Sequence, residues 1–117
     1  MRKLYEQSLT QTQFAVLEFE QIFQLSQERL KQALEAELIT SEYTVQKQKG
    51  FLYAEGSTPV LLVAHLDTVH RALPETICYS VDGAVMKSPQ GIGGDDRAGL
   101  KLILRLIQSV QCHLLFC

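Results

Sequence analysis

The chain has 117 residues, enough for one domain around one modest core. Its 46% apolar and 21% charged residues are those of an ordinary globular protein. The formal net charge is -2, no Lys or Arg run forms a stripe, and aromatics do not interleave with basic residues, which argues against nucleic-acid binding. No stretch approaches the roughly 18 apolar residues that would span a bilayer.

Met1-Arg2-Lys3 is followed by polar Glu6, Gln7 and Ser8 rather than the apolar centre of a signal peptide, so a cytoplasmic protein is expected. Cys78, Cys112 and Cys117 are odd in number and form no CxxC pair. Small buried thiols are expected, not a disulfide framework.

Residues 1–41 read as a helical region and 42–117 as an α/β half of the same domain. The pattern predicts helix from Thr10 to about Leu38, with Ser26 a candidate N-cap for a second piece. Leu30, Leu34 and Leu38 recur at i+4, while Glu28, Arg29, Lys31, Gln32 and Glu35 take the wet side. In the first piece Phe14, Leu17, Phe19, Ile22, Phe23 and Leu25 cover a wide arc, which predicts burial against a sheet or another subunit. From Glu42 the period becomes two, and Lys49-Gly50 turns the chain, predicting a hairpin that returns over Phe51 to Ala54. Val60-Leu61-Leu62-Val63-Ala64 is an unbroken apolar run, expected of a strand covered on both faces. A second hairpin is predicted around Asp82-Gly83. A Gly-rich loop then feeds a helix from about Arg97 to Ser109, with Leu100, Ile103, Leu104 and Ile107 on its core face. Cys112 to Cys117 reads as a short apolar strand. This order predicts an α/β fold, a mixed sheet with flanking helices.

Two segments carry chemistry. His65 and Asp67 follow the apolar strand, and in extended chain residues i and i+2 point the same way. An imidazole and a carboxylate would project together where open α/β sheets place their ligands. A neutral His is a good zinc ligand, and a nearby carboxylate can fix its tautomer. The competing reading is an ordinary hydrogen bond at a strand end. The second segment is Gly91-Ile92-Gly93-Gly94-Asp95-Asp96. Acids at a helix start complement its dipole and cap it, which accounts for Asp96. The crowded glycines instead imply backbone passing close to something. A phosphate loop fails, because position 96 is not glycine and two carboxylates would repel an anion.

Together, His65-Leu66-Asp67-Thr68-Val69 and Gly93-Gly94-Asp95-Asp96-Arg97-Ala98-Gly99 resemble the HxDTV and G-x-DD-(K/R)-x-G segments of zinc peptidase family M20, related to the M42 and M28 aminopeptidases. The resemblance covers about residues 43 to 117. It implies a partial zinc-exopeptidase catalytic domain with a phosphorylase/hydrolase-like fold. By the same resemblance His65 would bind one zinc, and Asp67, a catalytic residue, would hold its ring. Asp95 would bridge two zinc ions, while Asp96, often joined to the bridging acid by a cis peptide, would support the site together with Gly93 and Gly94. His70 and His113 match no ligand of the family. The family's Glu-Glu pair, distal ligands and lid domain follow the strand that here is residues 113–117, so a truncated or disrupted peptidase is expected. The substrate implied is a short peptide or N-acyl amino acid. The alternative is an inert remnant that folds and self-associates through an open edge strand and its N-terminal helix.

Overall fold

The computed structural model describes residues 18–70 and 72–117. Helix α1 (Phe19–Gln24) opens the described chain, so the expected helical positions 10–17, Phe14 and Leu17 among them, lie outside it. Helix α2 (Gln27–Thr40) starts where Ser26 accepts a hydrogen bond from the Arg29 amide, 3.2 Å away, which satisfies one otherwise orphaned donor. The break at Ser26 is the predicted one. Helix α2 ends with Glu42 at φ 68° and the Tyr43 amide donating back to the Leu38 carbonyl.

Strands β1 (Thr44–Lys47) and β2 (Leu52–Glu55) form the first hairpin, and β3 (Thr58–Ala64) follows. Strands β4 (Cys78–Tyr79) and β5 (Met86–Lys87) make a separate two-stranded hairpin around Gly83, which has φ 75°. Helix α3 (Gly94–Leu106) then leads into β6 (Cys112–Phe116). The main sheet has the order β1-β2-β6-β3. Strand β6 is antiparallel to β2 and parallel to β3, so the sheet is mixed, as expected.

Alternation along the strands decides which face is covered. Leu52, Ala54, Cys112, Leu114, Phe116 and Ala64 are buried, and they pack with Leu30, Ala33, Leu34 and Leu38 of α2 and Leu100, Ile103 and Leu104 of α3 in one core. The register pairs Leu52 with Phe116 and Ala64 with Phe116, which aligns these side chains across three strands. On the opposite face Leu61 and Val63 are 50% and 52% exposed.

This corrects the expectation for Val60 to Ala64. The run is apolar enough for a strand covered on both sides, yet among the described residues the core lies on one face and β3 is a sheet edge. The interior position belongs to β6, paired on both sides, so the open edge is not the last strand. Of the three thiols only Cys112 is buried. Cys78 and Cys117 are exposed, because one sits in the surface hairpin and the other just past the end of β6. No described helix is long and apolar enough to cross a membrane.

Candidate functional site

The parallel pairing of β3 with β6 aims the carboxyl ends of both strands the same way, and the chain emerging from β3 carries the first candidate residues. The His65 ring Nδ1 lies 3.1 Å from Asp67 Oδ1 and 3.1 Å from the Asp67 carbonyl oxygen. Both oxygens are acceptors, so Nδ1 carries a proton and donates to them, which fixes the ring's orientation.

The second segment arrives from the other side. Gly93 caps α3 in the left-handed region at φ 69°, and a Cβ there would press on the Thr68 methyl at 2.8 Å. Glycine at this position therefore lets the loop before α3 lie directly on the loop after β3. Asp95 and Asp96 depart from helical geometry, and the peptide between them is cis. Asp95 Oδ1 stands 3.1 Å from His65 Nε2, across 30 residues of sequence. Asp96 is placed elsewhere. Its carboxylate lies over Gly99, in the space that a side chain at that position would need.

Electrostatics at the His65 ring follow from these contacts. Partial desolvation pulls its pKa down, but hydrogen bonds to Asp95 and Asp67 outweigh this and the net shift is upward. The chemistry is one-directional: an ionised carboxylate only accepts, so the bare Nε2 lone pair of a neutral ring facing Asp95 would be repelled. A positive centre belongs between them, either a proton or a metal ion.

His65, Asp67, Asp95, Gly93 and Gly94 line one cleft of about 280 Å³ together with Thr68, Val69, His70 and Ile92. His70, treated as ordinary in the sequence, thus faces the same space, with its ring over Gly91. The i, i+5 spacing from His65 gave no signal, since it corresponds to neither strand nor helix periodicity. His113 does have an ordinary role: its Nδ1 accepts from the Gly56 amide at 3.0 Å. A larger hollow of about 620 Å³ lies far from this chemistry, between the start of α2 and the first hairpin, and is lined by Gln27, Glu28, Lys31, Lys47 and Lys49.

Sequence reasoning also missed what Arg97 does. Its side chain is buried, with Nε donating to the Leu66 carbonyl at 3.0 Å and Nη1 to those of Ile22 and Leu25 at 2.9 and 2.6 Å. Burial lowers its pKa, and the charge of Asp67 acts against that shift.

The fit of zinc to these residues rests on donor type and spacing. An imidazole nitrogen and a carboxylate oxygen are both zinc donors, and a 3.1 Å gap is one that two bonds of about 2.0–2.1 Å can span. Among the described residues no group of three or more His, Cys, Asp or Glu side chains converges as a ligand set. The pair fits as two ligands of a site.

No family model matches the chain, and no curated protein matches its sequence. A solved structure does match its fold: a tripeptidase from Staphylococcus aureus superposes with a TM-score of 0.69 over 89% of this chain, at 21% identity. At that identity the likeness is one of fold. The chain spans 35% of the length of that tripeptidase.

Proposed function

We propose that this chain carries the first part of a zinc peptidase centre of the M20 type, with His65 and Asp95 as metal ligands and Asp67 as the group that holds the His65 ring. The observation that supports it most is the meeting of His65 Nε2 with Asp95 Oδ1 while Nδ1 is tied to Asp67. That arrangement leaves one nitrogen lone pair and one carboxylate oxygen pointed at the same place. The tripeptidase likeness supports a peptidase domain as the setting. In this reading Asp95 would serve two zinc ions, and His65 one of them.

Within it, each residue has a distinct task. Asp67 keeps the proton on Nδ1, so that Nε2 presents its lone pair to the metal. Asp95 brings its carboxylate to the rim of the cleft, where the side chain is 96% exposed. Bound zinc would supply Lewis acidity, polarising a scissile carbonyl and acidifying water. The cleft is bounded by Val69 and Ile92 as well as the polar residues, which suits a small side chain of a short peptide or N-acyl amino acid.

The test is calorimetric titration with Co(II) and Zn(II), on wild type and single variants. Binding is expected to weaken at least about tenfold in His65→Ala and in Asp95→Asn, and to survive in Asp96→Asn, whose carboxylate lies away from the cleft. Binding of equal strength in wild type and His65→Ala would refute the assignment.

A second reading is favoured by the free edge and half-exposed apolar face of β3. In that reading the chain folds and associates with copies of itself without turnover.

A further inference from the structure

The chain that leaves β3 is tied to helix α1 at Leu66 and at Pro74, while the Leu66 amide also donates to the Cys117 carbonyl just past the end of β6 at 2.7 Å. The Leu66 carbonyl accepts from Arg97 Nε. The same guanidinium reaches across to the Ile22 and Leu25 carbonyls at the C-terminal end of α1. Those carbonyls have no partner within a helix that stops there, and the negative end of a helix favours a cation. Beyond the cleft, Gln24 Nε2 of α1 donates to the Pro74 carbonyl at 3.1 Å. Tyr79, in the hairpin that follows, donates to Glu20 of the same helix.

Arg97 stands next to Asp96 at the mouth of α3, yet it is 2% exposed and makes no ion pair at bonding distance among those described. Each of its three described hydrogen bonds ends on a backbone carbonyl. An arginine used this way is a planar fork that fixes the mutual position of three chain segments. Here the segments are α1, the residue between His65 and Asp67, and the turn carrying Asp95.

We infer that Arg97 is the positioning residue of the cleft, and that α1 is its support: the guanidinium holds Leu66, and with it the His65–Asp67 pair, at the distance from Asp95 that lets the two sides share a cation. The inference rests on the reading of the cleft as a metal site for its consequence, but its geometry can be read without metal. A lysine at 97 could donate to these carbonyls only from one ammonium, and methionine to none.

The experiment compares wild type, Arg97→Lys, Arg97→Met and Gln24→Ala by nitrogen NMR of the His65 ring, hydrogen exchange of α1 amides, and Co(II) affinity. In Arg97→Met the ring signals are expected to lose the pattern of Nδ1 protonated and bonded to Asp67, and Co(II) affinity to fall about tenfold or more. Arg97→Lys should recover part of both, and Gln24→Ala should cause a smaller loss with faster exchange in α1. A folded Arg97→Met protein with wild-type ring signals would overturn the inference, since a loss of global stability alone does not change the His65 signature of molecules that remain folded. If Arg97→Met does not fold, wild type decides: an Arg97 Nε–H proton exchanging in step with the α1 amides supports the inference, and one exchanging as fast as an exposed arginine overturns it. Should wild type bind no Co(II), the metal assignment fails while the ring and exchange measurements still judge Arg97.

Discussion

Glu37 is the residue whose position is hardest to reconcile with its charge. It sits in α2, 2% exposed, with one carboxyl oxygen that has no hydrogen-bond partner. Burial raises its pKa from 4.5 to about 7, and the Lys101 charge offsets only part of this. The folded protein therefore prefers the neutral acid. Stability from this group is fully present below pH 4.5 and is lost as pH rises through about 7. Glu37→Gln, which never ionises, should match wild type at about pH 4 and exceed it by on the order of 2 kcal/mol at about pH 8. Urea unfolding of both proteins at the two values measures this, and comparing them at each pH cancels the titration of His65. Equal stability at the higher value would mean that Glu37 ionises in place without cost. Residues like this mark what the sequence reveals and what it hides. His65 with Asp67 is legible because two positions in extended chain share a direction, and the meeting of Asp95 with His65 is legible only when the two segments are taken together. Arg97 is not, since its partners are carbonyls of residues 22, 25 and 66, which carry no side-chain label.

At the scale of elements, capping chemistry is where local residues and structure agree and disagree most plainly. Ser26 was identifiable as an N-cap and serves as one. The C-terminus of α2 is different: Glu42 occupies the left-handed region at φ 68° that usually goes to glycine. Its backbone there lets the Tyr43 amide reach the Leu38 carbonyl at 2.9 Å, and Tyr43 in turn buries its hydroxyl against the Cys112 carbonyl. An L-residue in this region costs roughly 1–2 kcal/mol relative to glycine, part of which is returned by the greater freedom of glycine in the unfolded chain. Glu42→Gly should therefore raise stability by about 0.5–1 kcal/mol, read as a higher denaturant midpoint with an unchanged slope. A lower midpoint would show that the Glu42 side chain contributes more than its backbone costs. The helices and hairpins were legible because their periods and turn residues are local. The burial of β3 was not, because an apolar run states what a strand tolerates and not which neighbours reach it.

For the molecule as a whole, the decisive feature is that the described helices of the core lie on one face of a four-stranded sheet. Leu61 and Val63, half-exposed, face the other way beside an edge that no described strand pairs. Strand β3 is seven residues long, carries no charge, and has Pro59 as its one residue lacking an amide donor. Its register with β6 shifts between Thr58 and Leu61, around Pro59, so the uncharged and regularly paired part of the edge is Leu61 to Ala64, and such an edge is a template for another strand. An exposed apolar face beside it adds a second reason for association. Sedimentation velocity over a concentration series should therefore show wild type moving to larger species as concentration rises, in a reversible way. Leu61→Lys places a charge on the open face without touching the core, so it should keep the monomer's fold and stability to within about 0.5 kcal/mol while abolishing that shift. Repeating the series with Co(II) separates the two readings of the chain: if metal binding is intact in Leu61→Lys, the cleft and the sheet face act independently. A wild type that stays monomeric throughout would remove self-association as an account of what the open face does.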